Sequence, residues 1–109
     1  MLISIGMQAQ SESGTYEANG VTWKFEIADG EATITGETKG KDAFHGALNI
    51  PATVVKDGVT YPVTVLKASC FSTYSNATSA TIPEGVKRIE RYAFSNCTGL
   101  HGDFTIPST

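Results

Sequence analysis

Residues 82–107 read IPEGVKRIERYAFSNCTGLHGDFTIP, and the fold follows from this stretch. It opens and closes on Ile-Pro, and its interior has an earlier counterpart. Val63 and Leu66 stand 23 residues before Val86 and Ile89, and Cys70-Phe71-Ser72 stands at the same distance before Ala93-Phe94-Ser95. Tyr74 then aligns with Cys97 and Ala77 with Leu100. One extra residue after Leu100 sets Ala80 and Ile82 24 positions before Phe104 and Ile106. Apolar residues recurring at fixed places with a period in the twenties mark the coils of a solenoid, in which each unit buries its apolar face against the next.

Working outward, Leu48-Asn49-Ile50-Pro51 matches Ala80-Thr81-Ile82-Pro83 and Phe104-Thr105-Ile106-Pro107. In a strand, the first and third residues share a face and the middle one points the other way. Ile50, Ile82 and Ile106 are therefore expected to form an inner column, with Asn49, Thr81 and Thr105 an outward ladder. Proline after each strand has no N–H to give and turns the chain. The first interval carries a surplus, residues 54–62, with an Asp57-Gly58 turn between β-branched residues. It reads as an inserted hairpin. Phe71 and Phe94 fall where the chain must double back, and short helical or 3₁₀ turns are expected there.

Ahead of the repeats, Val21, Trp23, Phe25 and Ile27 alternate with polar residues, the pattern of a half-buried strand. Asp29-Gly30 is a two-residue hairpin turn, and Ala32 and Ile34 lie on one face of the return strand. Tyr16 to Gly20 reads as a further tight turn or a short edge strand. Residues 14–46 are thus expected to be a hairpin cap and loop, with Trp23 plugging the core. Residues 47–109 hold about two repeats with an open C-terminal end. Residues 1–13 read as a disordered leader or the remnant of an export signal, because Leu2 to Ile5 is apolar and Met7-Gln8-Ala9 resembles a signal-peptidase site.

The composition supports a single small domain. The chain has 109 residues, 17% of them charged, and a net charge of -3. This is too mild a charge to suggest a nucleic acid or an anionic membrane as partner. Two cysteines define neither a disulfide framework nor a zinc site, and His45 has no ligand at metal spacing. No phosphate-binding glycine loop is present, and no cofactor is expected. Cys97, His101 and Asp103 are the only set that could suggest a thiol catalyst, and no orienting geometry follows from their spacing. The Asn76-Ala77-Thr78 and Asn96-Cys97-Thr98 sequons read as turn residues. Arg88, Glu90 and Arg91 read as a solvated face.

These residues resemble the BspA-like leucine-rich repeat proteins of bacteria. The likeness rests on IPEGVKRIERYAFSNCTGL, close to a repeat of the form IPxxVxxIxxxAFxxCxxL, and on ANGVTWKFEIADGEATI, similar to the β segment that often precedes such repeats. The first repeat departs from the pattern at Cys70, Tyr74 and Ala77. The resemblance implies a mainly β leucine-rich-repeat solenoid, secreted or surface-exposed, serving adhesion or protein recognition without catalysis. The implied partner is a host matrix protein or another cell-surface protein. A glycan is the alternative, with Trp23 and the tyrosines stacking on sugars, and a structural fragment of a longer repeat protein is a third reading. Self-association through the open C-terminal repeat is also expected. The interaction surface is placed on Asn49, Ser79, Thr81, Asp103 and Thr105, with Tyr61 of the inserted hairpin as a second candidate.

Overall fold

The computed structural model describes residues 12–98 and the backbone of Phe104–Thr105. Three strands open the fold: β1 (Glu12–Ala18), β2 (Val21–Ala28) and β3 (Glu31–Glu37). They are joined by Asn19-Gly20 and Asp29-Gly30, whose positive φ values (58° and 79°, 54° and 78°) suit the twist of two-residue hairpins. The expected hairpin cap is therefore a three-stranded meander. Glu12 and Ser13, assigned from sequence to the leader, belong to β1; residues 1–11 lie outside the described residues.

The larger revision concerns β3. It pairs with β2 on one side, yet on the other it runs parallel to β6 (Val59–Leu66), with Ala32 opposite Val63 and Ile34 opposite Leu66. β6 in turn runs parallel to β8 (Arg88–Ile89), with Leu66 opposite Ile89. Ile34, Leu66 and Ile89 are thus one position in three successive coils. The return strand of the cap is the opening strand of the first coil, and the boundary between cap and repeats falls inside the meander.

A second parallel ladder forms the other side. β4 (Gly46–Asn49) lies beside β7 (Ala77–Thr81), and β7 beside β9 (Phe104–Thr105). Leu48, Ala80 and Phe104 share one row, and Asn49, Thr81 and Thr105 the next. Leu48, Ile50, Ala80 and Ile82 are buried while Asn49 and Thr81 are exposed, as the alternation requires. Ile50 donates its N–H to Thr81 O at 3.2 Å, extending the register. Ile106 lies outside the described residues.

Between the two ladders the chain turns without helix among the described residues. Cys70, Ser72, Tyr74 and Ala77 each donate to the carbonyl three residues back, which is 3₁₀-type bonding. Positive φ at Ser69 (61°) and Thr73 (62°) interrupts it. The short turns expected from sequence take this form: among the described residues these segments are chained β-turns with 3₁₀-type bonds and no run of helix. Tyr92 (63°) and Asn96 (60°) repeat the same positive φ one coil later. The coils are further bonded to each other through Ser69 N to Arg91 O, Phe71 N to Ala93 O and Thr73 N to Ser95 O, at 2.7–3.0 Å.

The inserted hairpin also differs from its expected form. β5 (Thr53–Lys56) pairs antiparallel with the front half of β6 around Asp57-Gly58, but β6 continues unbroken to Leu66 as a repeat strand. The hairpin is thus an extension of a coil strand, and Val54 is fully buried beneath it. The core runs continuously from the meander into the coils. Phe71 is its hub, edge-on to Trp23 (5.9 Å) and Tyr74 (5.4 Å) and stacked on Phe94 (5.6 Å). Such aromatic pairs add about 0.5–1.5 kcal/mol each beyond their area.

Candidate interaction surface

The outward face of the second ladder holds some of the residues singled out from sequence. Asn49 and Thr81 are exposed and Ser79 is half-buried. Thr105 is aligned with Thr81 through its backbone, and Asp103 lies outside the described residues. The parallel register therefore brings Asn49, Thr81 and Thr105 into one row, about 4.8 Å from strand to strand. Tyr61 does not join them. It sits in the first sheet opposite Val54, half-buried and packed against the core. The hairpin's exposed apolar atoms belong instead to Val55 and Val59.

The ladder ends at a cleft that sequence reasoning missed. About 290 Å³ in volume, it lies between the Asn19-Gly20 turn, the end of β3 and β4; Asn19, Thr22, Thr38, Lys39, His45 and Asn49 are among its lining residues. Asn19 donates its side-chain amide to Asn49 O at 2.8 Å, tying the meander to the second ladder. Glu37 lines the same cleft from a buried position. Its carboxylate accepts the backbone N–H of Lys39 (2.9 Å) and Gly40 (2.7 Å) and the hydroxyl of Tyr74 (2.6 Å). Burial, with the Glu37 bond and charge adding to it, holds the Tyr74 phenol well above the ordinary tyrosine range. The only sequence signal for this trio was Tyr74 standing where the repeat has cysteine, and its partner is 37 residues away.

The remaining chemistry-bearing groups have structural roles. Trp23 is fully buried, and its indole donates to Ala18 O at 3.0 Å; this leaves no exposed ring face for stacking on a sugar. Both cysteines are free thiols. Burial pushes Cys70 up to about 12 and also raises Cys97, whose Sγ donates to Phe71 O at 3.0 Å. Neither is a thiolate near neutral pH, the form a nucleophile needs. Glu31 accepts the Thr64 hydroxyl at 2.8 Å and faces Lys87 at 3.5 Å. The Thr64 bond first, and the lysine second, lower its carboxyl below the usual range. His101 and Asp103, the other members of the weighed catalytic set, lie outside the described residues. Among the described residues no cluster of His, Cys, Asp and Glu could hold a metal ion.

Parallel strands stacked coil on coil, with a turn geometry that returns every 23 residues, define a mainly β repeat protein. The family model for the BspA type leucine rich repeat region (6 copies) matches residues 33–109, and the chain belongs to that family. The match begins inside β3, where the structure also places the first coil. Solved structures agree. A leucine-rich repeat protein from Bacteroides ovatus superposes with a TM-score of 0.68 at 25% identity, covering 84% of this chain and 23% of that one. One from Bacteroides capillosus gives 0.60 at 31% identity, covering 79% and 61%. A leucine rich cell surface protein from Faecalibacterium prausnitzii gives 0.61 at 34% identity, covering 80% and 22%. The chain thus spans under a quarter of two of these relatives and about three fifths of the third. A comparison with curated proteins found no match.

Proposed function

We propose that this chain is a non-catalytic interaction module of a secreted or surface-displayed bacterial repeat protein, binding a protein partner through the outward ladder. The observation that carries this reading is the parallel register of Asn49, Thr81 and Thr105. Asn49 and Thr81 are exposed short polar residues on neighbouring parallel strands, and the backbone of Thr105 continues their row. Membership of the repeat family and likeness to a protein described as a cell surface protein support display outside the cell. Adhesion to a host matrix or to another cell's surface protein is the role that fits such display.

The test is binding of the full chain to a panel of immobilised extracellular matrix proteins, with a glycan array in parallel. Thr81→Arg places a bulky charge at the middle of the row without touching the core. It is expected to reduce protein binding at least about tenfold, as for a residue at the centre of an interface. Unchanged binding by Thr81→Arg would move the site off the ladder, and glycan binding without protein binding would replace the reading.

A further inference from the structure

We propose that the cleft beside β4 binds an extended, acidic peptide, which adds as a strand to the sheet edge at Ala47–Asn49. The inference rests on the interaction-module reading and names a second site within it. Backbone direction in β4 is fixed by two bonds toward β7: Gly46 N to Asn76 O at 3.1 Å and Ile50 N to Thr81 O at 3.2 Å. Successive residues of a strand direct their N–H and C=O groups to alternate sides, so those of Ala47 and Asn49 face away from β7. Asn49 O confirms the direction by accepting the Asn19 amide on that side. The Asn19 side chain thus supplies the N–H that a neighbouring strand would supply. No strand among the described residues pairs with this edge, and an open edge is a template for one.

The cleft's dimensions and charge narrow the occupant. The edge from Ala47 to Asn49, with Asn49 O already bonded to Asn19, spans about 7 Å and leaves the Ala47 N–H and C=O and the Asn49 N–H to about three residues of an added strand. Its walls include Asn19, Thr22 and Thr38, which suit short polar or β-branched side chains. Glu37 is turned onto its three donors. The Lys39 ammonium is on an exposed residue lining the cleft and makes no ion pair among the described residues. The exposed charge at the rim is therefore positive and favours a carboxylate on the peptide. A sugar would want an open aromatic face, and Phe44, the ring in the cleft, is buried.

The probe is the acetylated pentapeptide Thr-Val-Thr-Val-Asp, titrated to about 1 mM, weak-complex affinity, into the full chain and followed by amide NMR shifts and hydrogen exchange. Exchange of the Ala47 and Asn49 amides should slow by about tenfold or more at saturation. An N-methyl group on the central peptide amide should weaken binding about fivefold or more, since main-chain bonds carry it. Lys39→Glu should weaken it about two- to fivefold, the range of an exposed ion pair. Thr81→Arg, outside the cleft, should leave it unchanged. Any of four results overturns the proposal: no shifts at Ala47 and Asn49, protection of both amides already in the free chain, indifference to N-methylation, or cellobiose binding there in place of the peptide. Loss of peptide binding in Thr81→Arg with Lys39→Glu unaffected would remove the cleft and leave the ladder reading standing.

Discussion

Replacing Tyr74 by Phe isolates a single hydrogen bond. The ring keeps its packing, edge-on to Phe71 at 5.4 Å and tilted against Phe44 at 5.9 Å, so no cavity opens. What is lost is the 2.6 Å bond from the hydroxyl to Glu37 Oε2, made where Tyr74 is 6% and Glu37 2% exposed. A hydrogen bond to a charged group contributes about 1.5–3 kcal/mol, and because Oε2 keeps the Gly40 N–H at 2.7 Å the cost stays toward the lower end. Two backbone donors remain on Glu37, which stops the loss short of that of an unpaired buried charge. In a domain of this size the change lowers Tm by on the order of 10 °C. Urea unfolding of the two proteins side by side measures it, with an unchanged m-value showing that stability alone has moved. A cycle with Glu37→Gln then gives the coupling, expected at about 1–3 kcal/mol. A Tyr74→Phe loss below about 0.5 kcal/mol, the scatter of neutral surface changes, would refute the buried Tyr74–Glu37 bond as a contributor to stability.

Gly14→Ala should destabilise by about 1–2 kcal/mol, the overpacking range, because its new Cβ would meet the buried Phe25 ring at 3.0 Å; the same urea experiment detects it, and a stabilised variant would refute it. Stability should fall as pH rises through the thiol range. The Cys70 thiol ionises near its ordinary 9.0 when unfolded and at about 12 when folded. Its contribution is therefore complete below about pH 9 and lost progressively toward about pH 12. Cys70→Ala, copying Ala93 of the next coil, should flatten that part of the profile of urea midpoint against pH, and an unaltered slope would refute the burial of the thiol.

The spacing of Phe71 and Phe94, the two Asp-Gly turns and the Ile-Pro triplets were enough to read a mainly β repeat protein, because each is a local pattern with a local physical cause. Alternation made Leu48 and Ile50 inner and Asn49 outer, and the structure agrees. Assigning the meander and its neighbours needed more than spacing. β3 looks like any hairpin return strand, since Ala32 and Ile34 are apolar on one face whether the far edge is solvent or β6. Only the parallel register of Ile34 with Leu66 makes it a coil. The turns at Ser69 and Thr73 resemble helical starts in composition, and the positive φ there goes with the bonds of their N–H groups to Arg91 and Ser95 of the next coil.

What the amino-acid order determined by itself was the repeat period and the inner and outer faces of each strand, because side-chain alternation and turn chemistry act over a few residues. What only the tertiary structure decided was the neighbour of each face. Tyr74 with Glu37, Asn19 with Asn49 and the cleft between them join residues about 30 or more positions apart. Such pairings come from how coils pile up in space, and no local pattern in the chain encodes them.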